Sequence, residues 1–488
     1  MKLLMRKTIL AQFIIFSCTA IYFSAQAQIK QEVKMIENSL EPRVQVKGKL
    51  KKYNILDRMK FHKVPGVSIA VVRGGKIRWA KGYGIANTKT GKKVNANTLF
   101  QAGSISKPLA ALAALKLVQE GKLSLDENVN QYLKGWKIPE NKFTKNKKVT
   151  LRGLLTHSAG LTVHGFPGYA QNDRFPDIVT VLDGKGNTPP VRVNMEPGTR
   201  FSYSGGGYTI MEKVVEDITG MPLEKYMARC ILNPLGMTNS TYAQPLPKKY
   251  HEQASAAYDR EGKIIKGLWH NYPEQAAAGL WTTPTDLAKY CIAIQNILKG
   301  KKGGVLSQNM VKQMLKKHKN EWGLGPSLHW KGDSLIFEHG GKNEGFTNDM
   351  LAFAHRGDAF IVMTSGDNGG RLIREIRIAL SRYYGWGVQS NKTVELVKLN
   401  ENQLQGYVGK YKFSRKVRGK DYVIKIKVEK GQLLFYDLPI KKILPLEPLS
   451  KTGFIDLNNG NQLTFKKTAN GSDYTLYLNK KYRFDKVK

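Results

Sequence analysis

Apolar side chains at Val67, Ile69 and Val71 alternate with Ser68, Ala70 and Val72, stop at Gly74-Gly75, and resume at Ile77 and Trp79. A period of two on either side of a turn that tolerates positive φ predicts an antiparallel hairpin over residues 65–86. The polar stretch before it, residues 29–60, predicts a single first helix. From Ser104 onward the period changes. Leu109, Leu112, Leu115 and Leu117 recur at roughly helical spacing until Gly121, which predicts a helix over 104–120. Residues 120–310 mix helical patterns with loops rich in Gly, Pro and Asn. Short apolar runs at 335–337, 350–354 and 360–364 predict strands, and 371–384 predicts a helix after them.

The last ninety or so residues follow another pattern. Tyr422, Ile424, Ile426 and Val428 alternate with more polar neighbours, Lys430-Gly431 turns the chain, and Leu433 and Phe435 resume. Further short runs hold Phe454, Ile455 and Leu457, then Leu463 and Phe465, then Tyr474, Leu476 and Leu478. Asn459-Gly460 and Asn470-Gly471 separate them. This predicts a small all-β unit over 396–488, joined through Ser390-Asn391-Lys392. At the other end, Lys2, Arg6 and Lys7 precede an apolar run from Thr8 to about Ala25, and Ala25-Gln26-Ala27 offers small residues for cleavage. Residues 1–27 read as a secretory leader, with a retained membrane anchor as the alternative. The expected division is therefore a leader over 1–27, a main domain over 28–395 and a β domain over 396–488. The expected destination is outside the cytoplasm, in the periplasm.

With 488 residues, 41% hydrophobic and 24% charged, the chain has the balance of a folded protein long enough for two units. Its net charge of +40 would attract anionic polymers. The lysines are spread along the whole chain, and no arginine-rich arm or nucleic-acid module is recognisable, so nucleic acid is not expected as a partner. A solvated basic surface is the plain reading; anionic polymers of the cell envelope are the partner it would suit. Beyond Cys18, only Cys230 and Cys291 remain, with no CxxC pair. A disulfide between them and two buried thiols both stay open. His251-Glu252 begins like a zinc-protease motif but lacks a second histidine at the required spacing, and no cofactor motif is present.

The candidate chemistry lies at Ser104-Ile105-Ser106-Lys107. A serine hydroxyl needs a nearby base and donors for the oxyanion. Serine at a helix N-terminus with lysine three residues later puts both side chains on one face. Alone, the tetrapeptide reads better as a helix cap beside a solvated lysine. Its setting decides the matter. Pro65-Gly66-Val67, residues 100–107, Leu154-Leu155-Thr156-His157-Ser158-Ala159-Gly160-Leu161, Glu196-Pro197-Gly198, Phe201-Ser202-Tyr203-Ser204, Pro234-Leu235-Gly236-Met237, Ala278-Gly279-Leu280 and His339-Gly340-Gly341 occur in this order. Together they resemble the serine β-lactamase-related superfamily, which holds class C β-lactamases, penicillin-binding DD-peptidases and related esterases.

The resemblance implies an α+β fold, with an antiparallel sheet flanked by helices and a helical subdomain. The C-terminal unit resembles the small lipocalin-like domains appended to some family peptidases. It implies Ser104 as nucleophile, and Lys107 and Tyr203 together as the groups that take its proton. The backbone amides of Ser104 and Lys342 would form the oxyanion hole, with His339, Gly340 and Gly341 lining the substrate strand. His157 reads as part of a structural turn. Relatives often carry asparagine two residues after the tyrosine to bind the substrate's amide; this chain has Gly205, which leans away from β-lactam hydrolysis. The expected activity is a secreted serine hydrolase that forms an acyl-enzyme with a small-molecule or peptide ester or amide. The alternative is a penicillin-binding-like sensor or scaffold without turnover.

Overall fold

A computed structural model describes residues 26–417, 419–468, 471 and 473–487. The expected leader lies outside these residues except for its last two, and Cys18 lies outside with it. The chain divides into two compact units. One holds Leu56–Ile373 and the described residues up to Glu32; the other holds Val33–Ile55 and Arg374–Lys488.

The N-terminal stretch is not the single helix expected over 29–60. It is α1 (residues 26–37), β1 (Val44–Val46) and α2 (Ile55–His62). Pro42 cannot donate a helical hydrogen bond, and Gly48 at φ 76 turns the chain out of any helix.

In the larger unit, β2 (Gly66–Arg73) and β3 (Lys76–Asn87) form the expected hairpin, closed by Gly74 and Gly75 at positive φ. After the short β4 (Lys92–Lys93), β5 (Phe100–Gln101) runs into a 3-10 turn, Gly103–Ile105, and then α3 (Ser106–Gln119). The helical part follows with α4 (Leu151–Leu155), α5 (Ile178–Leu182), α6 (Gly205–Thr219) and α7 (Leu223–Met227). Beyond a π-helical turn, Gln275–Gly279, come β6 (Trp281–Thr282), α8 (Pro284–Leu298) and α9 (Gln308–Met314). The chain then returns to the sheet through β7 (Ser327–Lys331), β8 (Ser334–Asn343), β9 (Phe346–Phe353) and β10 (Ala359–Ser365), and α10 (Gly369–Tyr383) begins in this unit and continues into the smaller one from Arg374. The sheet order is β4-β3-β2-β10-β9-β8-β7, antiparallel at every pair. Helix α3 is apolar on nearly every side and accordingly buried along most of its length. That fixes Ser104 and Lys107 to the core rather than to a mobile loop.

The smaller unit pairs β1 in parallel with β11 (Lys392–Val394). After α11 (Glu401–Gln405), eight antiparallel strands follow: β12 (Gly409–Phe413), β13 (Val423–Glu429), β14 (Gln432–Asp437), β15 (Lys442–Pro448), β16 (Gly453–Ile455), β17 (Gln462–Lys467), β18 (Tyr474–Leu478) and β19 (Tyr482–Val487). Pairing of β12 with β19 closes them into a barrel, so no edge is left to pair with another chain. Tyr411, Ile424, Phe435, Phe454, Phe465 and Leu476 pack inside it. Cys230 and Cys291 are both free thiols, but only Cys291 is buried and Cys230 is half-buried; burial pushes the Cys291 thiol up.

Candidate active site

Ser104 sits in the 3-10 turn at the mouth of α3. Gly103 before it has φ 56, a conformation that favours glycine. A Cβ on Gly103 would come within 2.5 Å of the Lys342 amide nitrogen. From the facing side, a Cβ on Gly341 would come within 1.9 Å of the Ala102 carbonyl oxygen. These two glycines let β8 lie directly against the backbone that carries the serine. Asn343 secures the contact, donating to Gln101 Oε1 at 2.9 Å and to the Ala278 carbonyl at 3.0 Å.

Lys107 lies one turn further along and is buried, with only 2% of its surface exposed. Its Nζ donates to Ser104 Oγ at 3.0 Å and to the Ala277 carbonyl at 2.7 Å. Both acceptors are uncharged, and burial lowers its pKa from 10.5 to about 7. The π-helical turn presents that carbonyl, and Glu212 on α6 steadies the turn by accepting from the Ala276 amide at 2.8 Å. Glu274, fully buried at the start of the turn, has its carboxyl pushed up to about 8 by burial. The sequence pattern offered no signal for either carboxyl: Glu212 reads as one polar position of an amphipathic helix.

Tyr203 precedes α6, whose N-cap is Ser204. Lys107 Nζ lies over its ring, 5.1 Å from the centroid. Burial pushes the phenol up to about 12, and its hydrogen bond with Ser104 only partly opposes this. Lys107 and Tyr203 thus both stand at the serine hydroxyl, the amine with a lowered pKa and the phenol with a raised one.

His157 does occupy a turn, at φ 54, and it also positions Tyr203. Its Nδ1 accepts from the Ser204 amide at 3.1 Å, its carbonyl accepts from Ser202 at 2.7 Å, and its ring lies against the tyrosine at 4.0 Å between centroids. His339, on β8, is buried, with Nδ1 2.6 Å from the Gly340 carbonyl and its ring 6.2 Å from that of Tyr203. Burial, reinforced by Lys107, lowers its pKa from 6.5 to about 3, so it stays neutral. Trp322 completes the wall, 5.6 Å from His339 and 5.8 Å from Tyr203. Exposed His164 stands 4.8 Å from Tyr203. Neither was foreseen, since both come from loops whose return to the site no local period encodes. The Lys342 side chain turns instead to Asp367 at 2.6 Å, which leaves its backbone as the part facing Gly103.

Position 205 has a steric explanation. A Cβ on Gly205 would meet Phe166 Cε2 at 2.9 Å and the His164 carbonyl at 3.2 Å. That carbonyl accepts the Gly205 amide at 3.0 Å. The 163–166 loop therefore occupies the space an asparagine side chain would enter. Among the described residues no group of three or more His, Cys, Asp or Glu side chains is placed to hold a metal ion. Nor is any helix among them long and apolar enough to cross a membrane.

A seven-stranded antiparallel sheet, a buried helix carrying Ser104 and Lys107, and a glycine-bearing strand beside them define the β-lactamase/transpeptidase fold, here with a separate eight-stranded barrel. The Beta-lactamase family model matches residues 54–382, and the chain belongs to that family, which includes serine hydrolases such as DD-carboxypeptidases. It is 28% identical over 236 residues to Protein flp of Staphylococcus aureus (strain N315), covering 47% of this chain and 45% of that one. It is 29% identical over 231 residues to a putative D-alanyl-D-alanine carboxypeptidase of Escherichia coli (strain K12), covering 44% and 52%. The chain thus spans about half the length of the curated relatives it matches. The octameric penicillin-binding protein homologue from Pyrococcus abyssi superposes with a TM-score of 0.61 at 23% identity, over 88% of this chain and 98% of the other. At that identity the likeness is one of fold.

Proposed function

We propose that this protein is an exported serine hydrolase that cleaves esters or amides through an acyl-enzyme on Ser104. The observation that carries the reading is the buried amine 3.0 Å from the serine hydroxyl, with a pKa lowered to about 7. Neutral Lys107 accepts the proton as Ser104 Oγ attacks the substrate carbonyl. The amides of Ser104 and Lys342 hold the oxyanion. Tyr203, still a phenol, passes the proton from Lys107 to the departing group. Water, activated by the same amine, then releases the acyl group and restores the serine.

The substrate class we infer is a peptide or ester with a D-amino acid at the cleaved bond. The putative carboxypeptidase among the relatives supports it, and the filled space at Gly205 argues against efficient β-lactam turnover. The same crowding favours one alternative, a binder that acylates and does not release. A fluorophosphonate probe followed by mass spectrometry, with nitrocefin, p-nitrophenyl esters and D-amino-acid peptides as substrates, decides between them. Labelling of Ser104 with turnover of a D-peptide or ester is the expected outcome, and Ser104→Ala is expected to lose both while remaining folded. Labelling without turnover of any substrate makes the protein a sensor or scaffold, and turnover by Ser104→Ala removes the assignment. Export rests on the basic start, the apolar run and Ala25-Gln26-Ala27. N-terminal sequencing of the periplasmic protein is expected to begin at Gln28; a chain beginning at Met1 in the membrane fraction would show a retained anchor.

A further inference from the structure

In an up-and-down barrel, alternate connections lie at the same end. The connections β12–β13, β14–β15, β16–β17 and β18–β19 therefore share one rim, and β13–β14, β15–β16 and β17–β18 share the other. The two rims differ. Among the described residues of the barrel, every large apolar side chain that is exposed belongs to the first rim or the strand starts beside it: Val417, Leu438, Ile440, Ile443 and Tyr482. Ile440, at the tip of β14–β15, is 61% exposed. Three of the four connections are neighbours: Ser414 donates to the Arg483 carbonyl at 3.0 Å, and Tyr422 donates to Asp437 at 2.7 Å. The fourth is taken up elsewhere, its Asn459 carbonyl accepting from Arg43.

Basic residues interleave with these apolar tips. Lys416 and Lys420 flank Val417, Lys441 follows Ile440, and Lys480-Lys481 precede Tyr482. The two acids nearby are engaged within the barrel, Asp421 with Lys412 and Asp437 with Tyr422. Residues 396–488 carry twenty Lys and Arg against eight Asp and Glu. Water-exposed isoleucine and leucine at a hairpin tip, ringed by lysine, suit a surface whose outside is anionic and whose interior is hydrocarbon. An anionic polymer would use the lysines and leave the apolar tips in water.

We propose that this barrel rim docks the protein on an anionic lipid bilayer, with Leu438 and Ile440 entering the headgroup–acyl boundary and the surrounding lysines meeting lipid phosphates. The test is co-sedimentation of the full chain with phosphatidylcholine vesicles, with and without phosphatidylglycerol. Binding is expected only to the anionic vesicles and to weaken at high salt. Leu438→Asp with Ile440→Asp is expected to lower the partition coefficient by about tenfold or more. Lys441→Glu with Lys481→Glu is expected to do the same. Ile440→Trp keeps the tip apolar and reports its surroundings, so its fluorescence should shift to the blue on anionic vesicles. Wild-type partition by the aspartate variant, or an unshifted Ile440→Trp spectrum, overturns the proposal. So does concentration-dependent dimerisation without lipid that the aspartate substitutions abolish, since the rim would then be an interface between two copies.

Discussion

Lys107 donates to a hydroxyl and a carbonyl, and neither acceptor carries charge. Its depressed pKa therefore has consequences for activity and for stability, with different signatures. For activity, the base must be neutral, so kcat/KM on an activated ester should rise with pH and level off above an apparent pKa near 7. A profile flat down to pH about 5 would exclude Lys107 as the base. For stability, the unfolded chain binds a proton between about pH 7 and 10.5 that the folded chain declines, so stability climbs with pH across that window. The shift corresponds to a cost on the order of 5 kcal/mol at and below pH 7. Lys107→Met is expected to abolish acylation yet raise the thermal midpoint at neutral pH, with the gain fading toward pH 10.5. The histidines act at the acid end. His339, with a pKa lowered from 6.5 to about 3, and His157, lowered in the same direction, stay neutral in the fold while the unfolded chain takes up protons. Stability should fall as pH drops from 6.5 toward 3, and His339→Gln should flatten that slope in chemical denaturation.

At the scale of elements, the site depends on the contact between β8 and the turn before α3. Gly341→Ala would place a methyl 1.9 Å from a backbone oxygen that cannot move aside. We expect at least a hundredfold loss of Ser104 acylation, on the order of one oxyanion donor, with the circular dichroism spectrum retained. Position 205 invites the opposite experiment. Gly205→Asn should impair ester turnover because it meets Phe166. Adding Phe166→Ala makes room, and the double variant should show a higher ratio of amide to ester turnover than the parent. The elements at this contact differ in how legible they were. Ser104 and Lys107 share a short spacing that points to one helix face, but their role, and Tyr203 and the glycines around 340, came only from the resemblance of the ordered segments that carry them. The hairpin β2–β3 and the barrel strands β13, β14, β16, β17 and β18 could be read because period-two alternation and Gly-containing turns are local, whereas β12, β15 and β19 were not picked out. What escaped was set at a distance. Pro42 and Gly48 break the 29–60 stretch locally, but what makes Val44–Val46 a strand is a partner more than 300 residues away. Trp322 and His164 enter the site on loops, and the shifted pKa values of Lys107 and Tyr203 follow from burial that no linear pattern encodes.

For the whole molecule, the division into two units with separate apolar cores implies separable melting. Calorimetry should resolve two transitions. Phe465 packs among Tyr407, Tyr411 and Phe454 inside the barrel. Phe465→Ala should destabilise that unit by about 3–5 kcal/mol and lower one transition only. A single transition that shifts as a whole would show instead that the units unfold together.

The parallel pair β1–β11 also sets an order in time. Val44–Val46 leaves the ribosome early, and its partner Lys392–Val394 is made roughly 350 residues later, about 20 to 70 s afterwards at ordinary synthesis rates. Through that interval a Val-Gln-Val strand has nothing native to pair with, while the larger unit, whose last residue is Ile373, is completed first. The smaller unit is thus the last part of the molecule to form, although it owns some of the first residues made.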